Sequence, residues 1–210
     1  MPGSSRPALS HLRRADPVLG RIIDRVGPYR LETTRAGTHY DALVRSIVFQ
    51  QLSGKAAGTI HRRFLELYPG RRARAELVLG STDEGLRGAG LSRQKIGYLR
   101  DLSARVADRS LPLAHLGRLP DDAIIEHLVQ VKGIGRWTAQ MFLMFRLGRP
   151  DVLPELDLGV QNAIRLAYGL ETRPGPKDVL RIGTPWRPYA SVASWYLWRS
   201  LENGDGQLGG

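Results

Sequence analysis

The sequence predicts an almost entirely helical, all-α protein, and three features of the chain lead there. Apolar residues recur at the three- and four-residue spacing of a helix face, sustained two-residue alternation is scarce, and helix-start signals precede several of the runs. Leu43, Ile47, Val48 and Leu52 form one stripe, and Ile60, Phe64 and Leu67 form the next. Thr82-Asp83 opens a short helix that ends at Gly88 to Gly90, and Ile96, Leu99, Leu102 and Val106 mark a longer one. Pro120-Asp121-Asp122 stands before Ile124, Ile125, Leu128 and Val129, the face of a helix over 121–130. A turn over 131–135 follows, then a second helix over 136–147 loaded with Trp137, Met141, Phe142, Met144 and Phe145. A helix through Ile164 and Leu166 and an aromatic-rich one ending near Arg199 complete the set. Residues 8–205 are expected to fold, with 1–7 and 206–210 as loose, turn-rich termini.

Composition narrows the class. With 210 residues and 42% apolar content, the chain has enough material for one substantial domain or two small lobes. A net charge of +11 favours a polyanionic partner, because phosphates neutralised by Arg or Lys release condensed counterions. Only four of the basic residues are lysines (Lys55, Lys95, Lys132, Lys177), so an arginine-rich coding bias also contributes to that excess. The short run Arg71-Arg72-Ala73-Arg74 reads as a solvated face. Cysteine is absent, which excludes disulfides, thiolate zinc sites and cysteine-ligated iron-sulfur clusters. With no long apolar run and no secretory signal, the expectation is an intracellular protein without membrane contact, nucleoid-associated in the cytoplasm if the source is bacterial.

The segment Val131-Lys132-Gly133-Ile134-Gly135-Arg136-Trp137-Thr138-Ala139 carries the strongest chemical signal. Two glycines separated by one apolar residue let a chain turn with positive φ and expose consecutive backbone N–H groups, and a helix starting near Arg136 adds its positive end. Such a turn suits a phosphodiester. Upstream, Gln50-Gln51-Leu52-Ser53 ends an apolar helical run, an odd place for amides, since a buried amide needs partners for every donor and acceptor. Gly90-Leu91-Ser92-Arg93-Gln94-Lys95 begins a helix with a Ser cap. Downstream, Asp157 stands twenty-two residues after Gly135, before the apolar helix start Leu158-Gly159-Val160.

Taken in order, these segments resemble the helix-hairpin-helix (HhH-GPD) DNA glycosylase superfamily, and most closely its alkylated-base branch of the 3-methyladenine DNA glycosylase II type. The resemblance implies a two-lobed fold with the active site in the cleft between lobes: a middle lobe of about 41–154 with the hairpin at 121–147, and a second lobe from about 8–40 plus 155–205. Some family members carry an N-terminal β-domain, which is not expected here. It implies that the amides of Gly133 and Gly135, with Lys132 and Thr138 nearby, face a DNA phosphate. The carbonyls of Val129, Val131 and Ile134 would hold a structural Na+ or K+ ion. Gln50, Gln51, Leu52 and Ser53 match the stretch pushed into the duplex where the damaged nucleotide has left the stack, with Gln51 or Leu52 as the wedge.

Asp157 matches the catalytic carboxylate, although Asp151 and Glu155 are alternatives and Asp157 also suits a plain helix cap. A carboxylate near the anomeric carbon stabilises the positive charge that develops on the sugar as a base departs. Bifunctional relatives carry a nucleophilic lysine where this chain has Trp137, so the expected enzyme hydrolyses without strand cleavage. Trp137, Tyr40 and Trp195 are candidate walls for an extruded alkylated purine, since a cationic ring stacks well on an aromatic face. The expectation is a monomeric, monofunctional DNA glycosylase acting on duplex DNA with damaged bases, with no catalytic cofactor. Its rivals are a non-catalytic DNA-binding module and a glycosylase for deaminated or oxidised bases.

Overall fold

The computed structural model describes residues 5–202, and among them it holds twelve α-helices, a few single 3-10 turns, one π-helical segment and no strand. No described helix is long and apolar enough to cross a membrane. The chain divides into two units, one formed by the residues up to Thr34 together with those from Leu143 onward, the other by Arg35–Phe142.

The first unit contains α1 (Ser5–Ala15), α2 (Pro17–Val26), α10 (Leu158–Ala167), α11 (Pro176–Ile182) and α12 (Ala190–Glu202). Leu12, Leu19, Ile23, Val160, Ile164, Trp186, Tyr196 and Leu197 close its core. One carboxylate organises the polar side of that core. Asp16 caps α2 through Val18 N and Leu19 N, and its second oxygen accepts from Trp186 Nε1 at 2.7 Å and from the Tyr168 hydroxyl. Burial, followed by the Asp16 carboxylate, pushes the Tyr168 phenol far above its usual value, so it stays a donor.

The second unit contains α3 (His39–Phe49), α4 (Gly54–Glu66), α5 (Ala75–Leu79), α6 (Asp83–Gly88), α7 (Arg93–Ala107), α8 (Asp121–Val129) and α9 (Arg136–Met141). Side-chain caps explain where α3, α4, α6 and α7 begin. Thr38 and Asp41 form a reciprocal capping box on α3, and Ser53, Thr82 and Ser92 each accept a bond from the third residue of α4, α6 and α7. Leu43, Ile47, Phe64, Leu99, Leu102, Ile124 and Leu128 are buried, as the stripes read from the sequence predict, whereas Leu67 and Val129, read into the same stripes, are exposed near their helix ends.

Four expectations need correction. Leu52 does not continue the helix of Leu43 and Ile47, because α3 stops at Phe49 and the chain turns through Gln51 at φ +56°. The second hairpin helix is α only to Met141, and Phe142–Leu147 is π-helical. Of the termini expected to be loose, residues 1–4 and 206–210 lie outside the described residues, while 5–7 form the first turn of α1, where Pro7 costs no helical hydrogen bond. The unit boundary falls after Phe142 rather than near 154. Residues 149–153 join the first unit because Ser191 Oγ donates to Arg149 O, Val152 N donates to Ser191 Oγ, and Leu153 enters its core. At the other end, the capping box at Thr38 draws 35–40 into the second unit.

Asp16→Ala removes a helix cap and orphans the buried Trp186 and Tyr168 donors, so thermal unfolding should show a loss of roughly 3 kcal/mol, about 10 °C in Tm. Asp178→Ala, which breaks an exposed pair with Arg181, should change stability by less than about 0.5 kcal/mol. Equal effects of the two substitutions would remove the role given to Asp16.

Candidate functional site

Within the second unit, α8 and α9 form the hairpin. Gly133 sits at φ +81°, and a Cβ there would lie 2.2 Å from Tyr98 Cδ2, so the Tyr98 ring rests directly on the glycine. Only glycine satisfies both demands. Gly135 differs from expectation: its φ is −90°, ordinary for any residue, and a Cβ on it would meet nothing within 4 Å. Neither the backbone conformation nor the packing around it requires glycine at this position. Ile134 N closes the turn onto Val131 O, whereas the amides of Gly133 and Gly135 donate to no group among the described residues.

Three residues of α7 hold this turn and the 50–53 loop. Lys95 Nζ donates to Val48 O at 2.7 Å and to Gln50 O at 2.8 Å, closing the carbonyl end of α3 with a cation. Burial lowers the Lys95 ammonium from its ordinary value. Tyr98 lies under Gly133, as described. Asp101 Oδ2 accepts from Lys132 N at 2.9 Å and from Arg105 Nε at 3.0 Å. Burial alone would raise the Asp101 carboxyl, but these two donors outweigh it and hold it below the usual carboxylate range. The loop and the turn also touch directly, through Gln50 Nε2 to Gly133 O at 2.8 Å. Gln51 and Leu52 are left exposed beyond this junction, and Ser53 caps α4.

In the first unit, Asp157 caps α10. Its Oδ1 accepts from Val160 N and from Trp198 Nε1, both at 2.8 Å. Gly159 makes the second bond possible, since a Cβ there would stand 3.0 Å from both Asp157 Oδ1 and Trp198 Cδ1. Trp198 stacks on Phe145 with centroids 5.8 Å apart, and these rings line a recess of about 510 Å³ together with Trp195, Arg30 and Glu32. Asp151 accepts from Ala190 N and pairs with Arg187, and Glu155 is buried.

The model of the HhH-GPD superfamily of base excision DNA repair proteins matches residues 44–188, a span that includes the 50–53 loop, the hairpin and Asp157. The chain belongs to that superfamily. DNA-3-methyladenine glycosylase 1 of Schizosaccharomyces pombe is 33% identical over 198 residues, covering 93% of this chain and 87% of the yeast protein. Its structure in complex with abasic DNA superposes with a TM-score of 0.81. The structure of DNA-3-methyladenine glycosidase from Bacillus halodurans gives 0.86 at 36% identity, covering 96% of this chain and 94% of that one. A putative DNA-3-methyladenine glycosylase of Bacillus subtilis is 35% identical over 169 residues, and the match spans 78% of this chain and 59% of that protein's length.

Several residues expected at an HhH-GPD site are placed differently. Tyr40 is not a pocket wall: it is buried in the second unit, with its hydroxyl 2.7 Å from Ser103 Oγ, and burial raises its phenol far above the usual value. The side chain of Thr138 is buried on α9, facing away from solvent, whereas Lys132 is exposed and Trp137 is 42% exposed. Trp195 is buried against Tyr29 and Tyr196, with an edge lining the recess, and it is Trp198 that reaches Asp157. Gln50 is a brace between loop and turn. The carbonyl of Val131 accepts the turn bond from Ile134, and Val129 ends α8. Sequence reasoning missed Trp198, Tyr98, Asp101 and the task of Lys95. For Lys95 the signal was present, a basic residue three positions after a Ser cap, but nothing local says which carbonyls it reaches.

Gly133→Ala forces an L-residue into positive φ and drives a methyl into Tyr98, so it should cost about 2–4 kcal/mol in thermal unfolding. Gly135→Ala should stay within about 1 kcal/mol of the unsubstituted protein. Comparable losses at the two glycines would contradict the different tasks assigned to them.

Proposed function

We propose that this chain is a monofunctional DNA glycosylase that hydrolyses the N-glycosidic bond of alkylated purines of the 3-methyladenine and 7-methylguanine type in duplex DNA, leaving an abasic site for base excision repair. The observation that carries the reading is Asp157, a carboxylate fixed by the Val160 amide and by the indole of Trp198, a residue that also lines a recess with Phe145 and Trp195, in a chain of the HhH-GPD superfamily. The names of the relatives support the lesion class: two that align over more than nine-tenths of this chain, at 33% and 36% identity, are called a 3-methyladenine glycosylase and a 3-methyladenine glycosidase.

The chemistry follows from the leaving group. An N-alkylated purine already carries positive charge, so the bond from C1′ to the base nitrogen breaks with its electron pair going to the base, which departs neutral. Charge builds on the sugar, where Asp157 stabilises it electrostatically. Water then bonds to C1′, and its proton passes to the carboxylate or to bulk solvent. No second acid is needed. Trp137 has no amine to attack C1′, so the backbone stays unbroken, and its exposed indole offers a face for a cationic ring.

Binding rests on the second unit. The Gly133 and Gly135 amides, which find no acceptor among the described residues, and the exposed side chain of the adjoining Lys132 suit a phosphate oxygen. The carbonyls of Val129, Val131 and Ile134 are neutral oxygen donors of the kind that hold Na+ or K+, and an ion there would supply positive charge to the same phosphate. Gln51 or Leu52, both exposed at the loop tip, would fill the gap left by the extruded nucleotide.

The test uses duplexes bearing a single 7-methylguanine, with alkali to reveal abasic sites. Asp157→Asn preserves the cap, because Asn caps a helix as well as Asp, so folding and abasic-DNA binding should persist while single-turnover excision falls by about a hundredfold or more. Unchanged excision would remove Asp157 from the mechanism. Absence of excision by the unsubstituted protein would leave a module that only holds DNA.

A further inference from the structure

We propose that α7 is the bracket that couples phosphate capture to base extrusion, with Lys95 and Gln50 as positioning residues for the wedge. The inference rests on the functional reading above and adds residues to it. Lys95, Tyr98 and Asp101 stand three residues apart on α7, so they run along one side of the helix. Each grips a different part of the DNA-facing apparatus. Lys95 holds the last carbonyls of α3, from which the wedge loop springs. Tyr98 sets the height of Gly133, and Asp101 holds the Lys132 amide.

Gln50 completes the frame by joining loop to turn through Gly133 O. The two functional segments lie 83 residues apart in sequence at this contact, yet one helix and one amide fix their spacing. That spacing matters at Gln51, which is held at φ +56°, a region a non-glycine residue enters only when its surroundings impose it. With the Lys95 bonds in place the carbonyls of Val48 and Gln50 are satisfied and the chain reverses immediately after them. Without the cation those carbonyls seek other donors, and the loop loses its reason to present Gln51 and Leu52 beyond the turn. A phosphate gripped at the hairpin then no longer places a plug in the stack. Gln50 is, on this account, a strut of the protein rather than a reader of bases.

The account separates a positioning role from a general one. Extrusion costs a few kcal/mol for a paired base and least for an unpaired one, so a defect in wedge placement should depend on what stands opposite the lesion. Single-turnover excision of 7-methylguanine is measured in two duplexes, one with cytosine opposite and one with a tetrahydrofuran abasic analogue opposite. Lys95→Met and Gln50→Leu should each slow the paired substrate by about tenfold, the equivalent of about 1.4 kcal/mol, and the unpaired substrate by less than about twofold. Tm is recorded for both variants, and if Lys95→Met does not fold, Gln50→Leu decides alone. Equal slowing on both substrates, or none on either, overturns the bracket. Failure of the unsubstituted protein on both duplexes would instead sink the glycosylase reading, so the two failures are distinguishable.

Discussion

A helix leaves backbone donors bare at one end and acceptors bare at the other, and the site residues of this protein are best understood through how those groups are satisfied. Asp16 takes the bare amides of α2, Asp157 takes that of Val160 in α10, and Lys95 takes the carbonyls that end α3. Asp101 takes the Lys132 amide at the hairpin. Against that background the turn amides of Gly133 and Gly135 stand out because they find no acceptor among the described residues. An external oxyanion is the natural partner for groups so presented.

Capping also explains how the Asp157 carboxylate is held in place. A carboxylate at a helix start is oriented by the backbone amide it accepts, and a second donor narrows its freedom further. At Asp157 that second donor is an indole, seated by its stack on Phe145 and admitted by the missing side chain of Gly159. A carboxylate held this way needs little rearrangement when charge develops near it, which is the condition under which electrostatic stabilisation is most effective. Asp16 is also held by several donors, but it is buried, and among the described residues its carboxylate accepts from Trp186, Tyr168 and the start of α2.

Much of the architecture was legible. The stripes at Leu43 and Ile47, at Leu99 and Leu102, and at Ile124 and Leu128 report helices because the 3.6-residue period is a local property of the chain. The caps at Thr82 and Ser92 are legible for the same reason. Leu52 was misread since its spacing fits the stripe, whereas α3 ends at Phe49, where a lysine from a distant helix binds its carbonyl end. Gly135 was credited with a backbone task that Gly133 performs alone, as identical residues give no hint of their φ angles.

The amino-acid order by itself determined the helical class, the basic character, the glycine turn and the presence of Asp157 before an apolar helix, because each is written within a window of a few residues. Tertiary structure alone decided that Trp198 rather than Trp195 reaches that carboxylate, that Tyr40 faces Ser103, and that Lys95 and Gln50 brace loop against turn. These are contacts between residues 41 to 83 positions apart, set by how packed faces meet, and no local period records them.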